Sequence, residues 1–151
     1  DVYLALRGLR TMELRLERQM ASGLAVARWL EGRPEVARVL HPALPSDPGH
    51  ALWRRDMTGA SGLFGVVFEG WSEDDAKAFV DGLKLFGIGA SWGGFESLAI
   101  LAKLKSVRSA VPWPEEAQLV RLHVGLEEPA DLVADIERSL LAVAERRGAT
   151  S

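Results

Sequence analysis

The sequence has 151 residues, of which 48% are hydrophobic and 26% charged, and its formal net charge is −3. These values are typical of one globular domain, and the slight negative charge gives no reason to expect nucleic acid or an anionic membrane as a partner. The absence of cysteine excludes disulfides and thiolate metal sites and favours a cytoplasmic location, and no apolar run approaches the roughly 20 residues that cross a bilayer.

Residues 1–34 have the pattern of one long amphipathic helix, which ends at Gly32 and Pro34. Its apolar residues recur at steps of three or four: Val2, Leu6, Leu9, Met12, Leu16, Met20, Leu24, Ala27 and Leu30. A helix of about thirty residues would be roughly 45 Å long, more than a domain of this size spans, unless Gly8 or Gly23 kinks it. We therefore interpret the chain as a piece of a longer protein and expect part of this stripe to contact the rest of that protein or another subunit.

The next part, residues 35–147, alternates short strands with helices. Strands are predicted over 35–42, 61–70 and 118–127, and two more are predicted within 87–101, around a double glycine. Several of these strands are joined by connections too short for a crossover. The sequence therefore predicts an α+β fold, with a mostly antiparallel sheet and helices on one of its faces.

Two further helices carry clear start signals. Ser72 and Asp75 form a capping box before a helix whose inner face is Ala76, Phe79, Val80 and Leu83. Pro129 occupies the favoured first position of a last helix, which turns Leu132, Ile136, Leu140 and Val143 inward. A Pro/Gly-rich loop after residue 42 leads into a short helix, and residues 148–151 are expected to form a frayed tail.

The stretch "LVRLHVGL" contains one candidate binding residue. Because strand side chains alternate, Val120 and Leu122 share one face, and Arg121 and His123 share the other. This second face is either a solvated outer surface or a place where the guanidinium of Arg121 meets a carboxylate through two parallel hydrogen bonds. His123 is interpreted as a hydrogen-bonded structural residue, and the wide spacing of the three histidines predicts no metal site.

A second candidate is the corner "SWGG". Its glycines, Gly93 and Gly94, either allow a ligand to approach closely, with Ser91 offering a hydroxyl and Trp92 a wall, or form a bulge or tight turn with the indole folded onto the core. The sequence lacks the glycine-rich phosphate loops and the nucleophile elbow. The residues alone therefore indicate a possible carboxylate clamp and no catalytic group.

Five motifs, taken together, resemble one family over residues 2–145. They are "YLALRGLRT", "RVLHPALPSDPGH", "SGLFGVVF", "SWGGFESL" and "VRLHVGLEEPADLVADIE". In this order they resemble the C-terminal domain of the cystathionine β-lyase group, within the Cys/Met-metabolism family of pyridoxal-phosphate (PLP) enzymes. The group is favoured by Trp92, since members that work at the γ-carbon usually carry leucine there.

The resemblance implies the small C-terminal domain of a fold-type I PLP enzyme. Residues 1–34 would link it to an upstream domain that holds the cofactor and the Schiff-base lysine, residues 35–147 would form the domain, and 148–151 its tail. Lys77, Lys84, Lys103 and Lys105 match no family cofactor lysine. No catalytic or cofactor-binding residue is therefore expected in this chain, and the isolated chain is expected to bind no PLP covalently and to lack lyase activity.

For function, the resemblance implies that Arg121, Ser91 and Trp92 line the substrate site. Arg121 would grip the substrate's α-carboxylate, Ser91 would help to hold it, and Trp92 would shape the pocket. The parent is expected to be a homotetramer that converts L-cystathionine to homocysteine, pyruvate and ammonia in methionine biosynthesis and transsulfuration. Alternatives are a cystathionine γ-lyase, a cystathionine γ-synthase, a methionine γ-lyase, or a non-catalytic α+β module for binding or assembly.

Overall fold

The computed structural model describes residues 1–104, 107–113 and 117–149. Within these residues the chain forms five α-helices and one five-stranded sheet. The helices are α1 (Val2–Leu9), α2 (Met12–Glu31), α3 (His50–Asp56), α4 (Glu73–Gly82) and α5 (Pro129–Gly148). The strands are β1 (Arg38–Leu40), β2 (Leu63–Glu69), β3 (Gly87–Ile88), β4 (Leu98–Ala102) and β5 (Ala117–His123).

The sheet has the strand order β1-β2-β5-β4-β3, with β5 at its centre. The pairs β1–β2, β2–β5 and β4–β5 are antiparallel, which confirms the predicted α+β fold with a mostly antiparallel sheet. The pair β3–β4 is parallel, however, although only residues 89–97 separate the two strands. This connection is not a hairpin, because it leaves the sheet edge and runs to β5, where it bonds to Arg121 and His123 before β4 begins.

Helices α2, α4 and α5 cover one face of the sheet, which we call the helical face. Their apolar side chains and alternate residues of the strands form one buried core. All eight inner residues predicted for α4 and α5 are buried: Ala76, Phe79, Val80, Leu83, Leu132, Ile136, Leu140 and Val143. The predicted capping box is also present, with the Ser72 hydroxyl accepting from the Asp75 amide and the Asp75 carboxylate accepting from the Ser72 amide.

The single long helix expected over residues 1–34 is wrong, because two helices occupy this segment. The break lies at Arg10 and Thr11 and not at a glycine; Thr11 leaves the helical conformation (φ −117°, ψ 8°) and is the N-cap residue of α2. Threonine is stiff at its first side-chain torsion and favours caps over helix interiors. The Arg15 guanidinium then donates to the Gly8 carbonyl at 3.1 Å, which satisfies an acceptor at the end of α1.

Only the second half of α2 packs on the sheet. Val26, Ala27 and Leu30 are fully buried, whereas Leu6 and Leu9 are 54% and 59% exposed. The expectation that part of the apolar stripe lacks a local partner is therefore confirmed among the described residues. In the part of the chain that the structure describes, every helix is too short or too polar to cross a membrane.

The opposite face of the sheet, which we call the open face, carries Arg121 and His123 of β5. A small buried cluster of Val67, Ala117 and Leu119 lies on it, packed against Leu40 of β1. The alternation predicted for "LVRLHVGL" is confirmed within the strand, since Val120 and Leu122 enter the core and Arg121 and His123 lie on the open face. Leu126 lies beyond the end of the strand and is only half-buried, outside this core. The site described next is built on this open face.

Candidate functional site

Arg121 is held against the connection between β3 and β4. Its register partners are Gly65 on β2 and Ile100 on β4, so it lies at the middle of the open face. Its Nη2 donates to the Ala90 carbonyl at 2.7 Å, and the carbonyl oxygens of Gly89 and Ser91 lie 3.4 and 3.3 Å from the same nitrogen. These contacts tie the guanidinium to the loop that carries Ser91 and Trp92.

Part of the Arg121 guanidinium keeps unused hydrogen-bonding capacity. Its Nε is buried and has no hydrogen-bond partner among the described residues, and the hydrogen bonds of its guanidinium to the 89–91 carbonyls all involve Nη2. One Nη2 hydrogen suffices for the Ala90 carbonyl, so the other, together with Nη1, can meet an anion. A buried polar atom without a partner is uncommon and costs stability, whereas the Nη donors are the ones that a carboxylate could reach.

The loop of residues 89–97 is held from below by two buried side chains. The Gly93 amide donates to Nε2 of His123 at 3.2 Å, and Nε2 of Gln19 donates to the Gly94 carbonyl at 2.6 Å. Gln19 and His123 are 1% and 2% exposed. Gly93 has φ +83°, a conformation that glycine adopts without strain. This backbone conformation explains why the first residue of the Gly93–Gly94 pair is glycine.

The far end of the loop is fastened to the segment after β5. The Glu127 carboxylate accepts from both the amide and the hydroxyl of Ser97, each at 2.8 Å, and the Ser97 hydroxyl accepts from the Gly125 amide at 2.9 Å. The Leu126 amide donates to the Phe95 carbonyl at 2.8 Å. A Cβ on Gly125 would lie 2.2 Å from that carbonyl oxygen, so the close approach of loop and strand requires glycine there.

Ser91 and Trp92 lie at the exposed tip of this loop. Trp92 is 61% exposed, so its indole is not folded onto the core, as one of the two sequence interpretations had it. Ser91 meets Arg121 through its backbone carbonyl, and its hydroxyl makes no hydrogen bond to another described residue. The structure therefore brings the Arg121 guanidinium and the backbone of Ser91 together, while the Ser91 hydroxyl and the Trp92 ring face outward.

A cavity of about 580 Å³ adjoins Arg121 at the edge of the sheet. Its walls are mostly apolar, with charged groups at the rim: Lys77, Val80, Asp81, Ile88, Ile100, Leu101, Ala102, Lys103 and Arg121. Neither Ser91 nor Trp92 lines it. Arg121 thus stands between an apolar cavity on one side and the exposed loop on the other.

The sequence missed Gln19 and Glu127 as residues that support the loop. Gln19 precedes Ser22 by three positions and Val26 by seven, which places it on the buried face of α2. A glutamine on such a face is a detectable signal, since a buried amide needs hydrogen-bond partners. Its partner could not be predicted, because Gly94 is 75 residues away. His123 is a buried, hydrogen-bonded residue, in agreement with its structural interpretation.

The described residues fit a bound carboxylate better than a covalently bound cofactor. Lys77 is paired with Glu73 at 2.9 Å, and Lys84 lies at the end of α4, where its amide bonds to Asp135. Lys103 lies at the cavity rim, and Lys105 lies outside the described residues. Across residues 1–104, 107–113 and 117–149, no group of histidine, aspartate and glutamate is arranged to hold a metal ion.

Comparison with known proteins shows one family over nearly the whole chain. Residues 1–141 match the family described as Cys/Met metabolism PLP-dependent enzyme. The chain is 56% identical over 146 residues to a putative cystathionine β-lyase of Rhizobium johnstonii, a match that covers 94% of this chain and 37% of that protein. It is 50% identical over 141 residues to a cystathionine β-lyase of Bordetella avium, covering 93% of this chain and 35% of that protein.

Other relatives bear different names. A cystathionine γ-lyase of Mus musculus is 42% identical, and an L-alanine/L-glutamate racemase of Wolbachia pipientis is 41% identical. The crystal structure of metB from Corynebacterium glutamicum matches with a TM-score of 0.83 and 35% identity, covering 95% of this chain and 37% of that one. The chain thus spans little more than a third of the length of these proteins.

Proposed function

This chain belongs to the Cys/Met-metabolism family of PLP-dependent enzymes, and we propose that it forms the substrate-pocket domain of a cystathionine β-lyase. Its parent would convert L-cystathionine and water to homocysteine, pyruvate and ammonia. Residues 1–34 would link the domain, residues 35–147, to an upstream domain that carries the cofactor and its lysine. The high identities to proteins named β-lyases support this choice of family member.

The observation that carries the proposal is the hydrogen bond from Arg121 to the Ala90 carbonyl. It fixes the orientation of the guanidinium relative to the loop that carries Ser91 and Trp92, the two other residues that the resemblance assigns to the substrate site. The remaining Arg121 donors are free to bind an α-carboxylate, which a charge-assisted bond holds by roughly 1.5–3 kcal/mol. Arg121 would therefore select amino-acid substrates and orient them.

When bound to the parent, PLP supplies an electron sink for the carbanion that forms at the substrate's α-carbon. The residues of this chain would supply orientation. With its carboxylate on Arg121, the substrate keeps a fixed direction for its Cα–H bond, and such positioning is worth several kcal/mol when the geometry is tight. The exposed Ser91 hydroxyl would donate to the same carboxylate, and the Trp92 ring would cover the bound substrate and exclude water.

The proposal is tested with the full-length protein and L-cystathionine. We expect pyruvate as the keto-acid product, and we expect Arg121→Ala to raise KM by about ten- to a hundredfold, as loss of a charge-assisted bond implies. Arg121→Lys should recover little, since an ammonium lacks the planar fork. Arg38→Ala is the matched control, because Arg38 is an exposed arginine on the same sheet face.

Products other than pyruvate would indicate a different activity within the family. Formation of 2-oxobutyrate would indicate γ-elimination, as in the γ-lyase relative, and interconversion of amino-acid enantiomers would indicate a racemase. A lysine variant with wild-type kcat/KM would refute the two-bond clamp. The homotetramer implied by the resemblance and the cytoplasmic location favoured by the absence of cysteine stay predictions.

A further inference from the structure

We propose that His123 and Gln19 are positioning residues of the substrate site, which together hold the double-glycine loop so that it presents Ser91 and Trp92 beside Arg121. This inference rests on the proposed function for its catalytic consequence. Its structural part, the clamp on Gly93 and Gly94, rests only on the contacts of this chain.

The clamp uses two separate elements. Gln19 projects from α2 and donates to the Gly94 carbonyl at 2.6 Å. His123 projects from β5 and accepts from the Gly93 amide at 3.2 Å. Two neighbouring residues of an otherwise exposed loop are thus bonded through their backbone to side chains that are almost fully buried, and each side chain belongs to an element packed into the core.

Arg121 and His123 hold the loop on both sides of Trp92. They are two residues apart on one strand and share its open face. Arg121 bonds to the carbonyl before the corner, at Ala90, and His123 bonds to the amide after it, at Gly93. The spacing between the Arg121 guanidinium and the loop is therefore set by a single central strand that is paired on both sides.

The His123 bond comes with an unpaired group elsewhere on the ring. Nε2 lies 3.2 Å from the Gly93 amide, from which it accepts without a proton, and 3.3 Å from the Gly94 carbonyl, to which an N–H at this position would donate. Nδ1 is buried and has no hydrogen-bond partner among the described residues. A buried unpaired ring nitrogen costs free energy whether it is a donor or an acceptor, so an apolar side chain would serve packing better. Loop positioning explains why histidine stands at this position.

The experiment uses the full-length holoenzyme with four single variants. His123→Gln places an amide near the position of Nε2 and should keep the bond, whereas His123→Asn reaches only the position of Nδ1 and should lose it. Gln19→Met keeps the length of the side chain and removes its donor. His50→Asn is the control, since His50 is also a histidine bonded to the backbone, at the Pro42 carbonyl, and lies away from this loop.

Two readouts are measured on each variant. Hydrogen–deuterium exchange of peptides covering residues 90–97 needs no turnover, and we expect it to rise about tenfold in His123→Asn and in Gln19→Met, the factor for one lost hydrogen bond. With L-cystathionine, KM should rise by a similar factor while kcat per active site stays close to wild type. His123→Gln and His50→Asn should resemble wild type in both readouts.

Three results would overturn the inference. Exchange of the loop unchanged in both His123→Asn and Gln19→Met would show that no clamp exists. Faster exchange with unchanged KM would mean that both residues have only a structural role. A lower fraction of active enzyme with unchanged KM and unchanged kcat per active site would mean the same. If His123→Asn does not fold, Gln19→Met decides, since it alters a different element. A wild-type protein without lyase activity would count against the proposed function, and the exchange data would still judge the clamp.

Discussion

The two faces of strand β5 differ in how far the chain itself completes their surroundings. Val120 and Leu122 are fully buried beneath helices α2, α4 and α5. Arg121 lies between them in sequence and on the opposite face, half-buried, with an Nε that finds no partner among the described residues. The helical face is thus filled by side chains of this chain, whereas the open face keeps hydrogen-bonding capacity for another group.

This difference teaches that stability and binding are separated residue by residue along one strand. Apolar burial is roughly proportional to area and has no direction, so the helical face contributes mainly to folding. Directed and partly unpaired donors contribute little to folding, and their value depends on what they meet. Substitutions at neighbouring positions of β5 should therefore change different properties.

The largest effect on stability is expected at Leu122. Leu122→Ala should lower the free energy of unfolding by about 3 kcal/mol, because it opens a cavity among residues that are fully buried. Arg121→Met, one position away, should change it by less than about 1 kcal/mol, since it removes one good hydrogen bond together with an unpaired buried Nε. Urea denaturation of both variants measures the contrast.

Equal losses in the two variants would contradict the division between the faces. If Arg121→Met lowered the free energy of unfolding as much as Leu122→Ala, the hydrogen bonds of Arg121 to the 89–91 carbonyls would be needed for folding. The guanidinium would then not be available to a ligand. Leu122→Val is the matched control on the helical face, and we expect about 1 kcal/mol for the smaller cavity.

The helical face could be predicted from the sequence, and the support of the site could not. Phe79 in α4 and Ile136 in α5 each belong to a set of apolar residues that recurs with a helical period. Such a period depends only on residues close together in sequence. The bonds of Gly94 to Gln19 and of Gly93 to His123 join residues 75 and 30 positions apart. No local pattern contains such pairs. The parallel pairing of β3 and β4 could not be predicted for the same reason, since it depends on where the intervening loop attaches.

A smaller effect is expected at Asp75, where two elements of the helical face meet. Burial raises the pKa of this carboxyl, but hydrogen bonds from Arg146 and Ser72 outweigh it and hold the pKa below the ordinary value of 3.8. Because the unfolded chain then binds the proton more readily, the stabilisation is complete above pH 3.8 and is lost as the pH falls through the folded value. Asp75→Asn should cost about 1 kcal/mol near neutral pH.

The pH dependence separates this charge from a packing effect. At a pH below the folded pKa, Asp75→Asn and the wild type should be equally stable, because the carboxyl is then neutral in both states of the wild type. Asp74→Asn is the matched control, since the Asp74 side chain is 82% exposed and its ion pair with Lys77, at 3.5 Å, is a surface pair. This substitution should change the free energy of unfolding by less than about 0.5 kcal/mol. A difference at Asp75 that persists in acid would point to packing.

The N-terminal stripe shows the same limit of prediction within one pattern. The period of its apolar residues predicted helix correctly but carried no information on which of them find a partner. Leu30 is fully buried, whereas Leu6 is 54% exposed, although both belong to the same stripe. The break at Thr11 was also missed, because glycines are stronger helix-breaking signals than a single threonine.

The smallest effect on the stability of the 151-residue chain is expected at Leu6. In the 151-residue chain, Leu6→Gln should change the free energy of unfolding by less than about 0.5 kcal/mol, because glutamine keeps the helix propensity and the side chain it replaces is mostly in water. In the full-length protein the same change should cost about 1–3 kcal/mol, if this segment packs against the upstream domain as proposed. Denaturation of both forms measures the two values. Equal, negligible effects in both would show that the exposed stripe lacks a partner in the longer protein too, and a large effect in the short chain would mean that α1 already completes its own core.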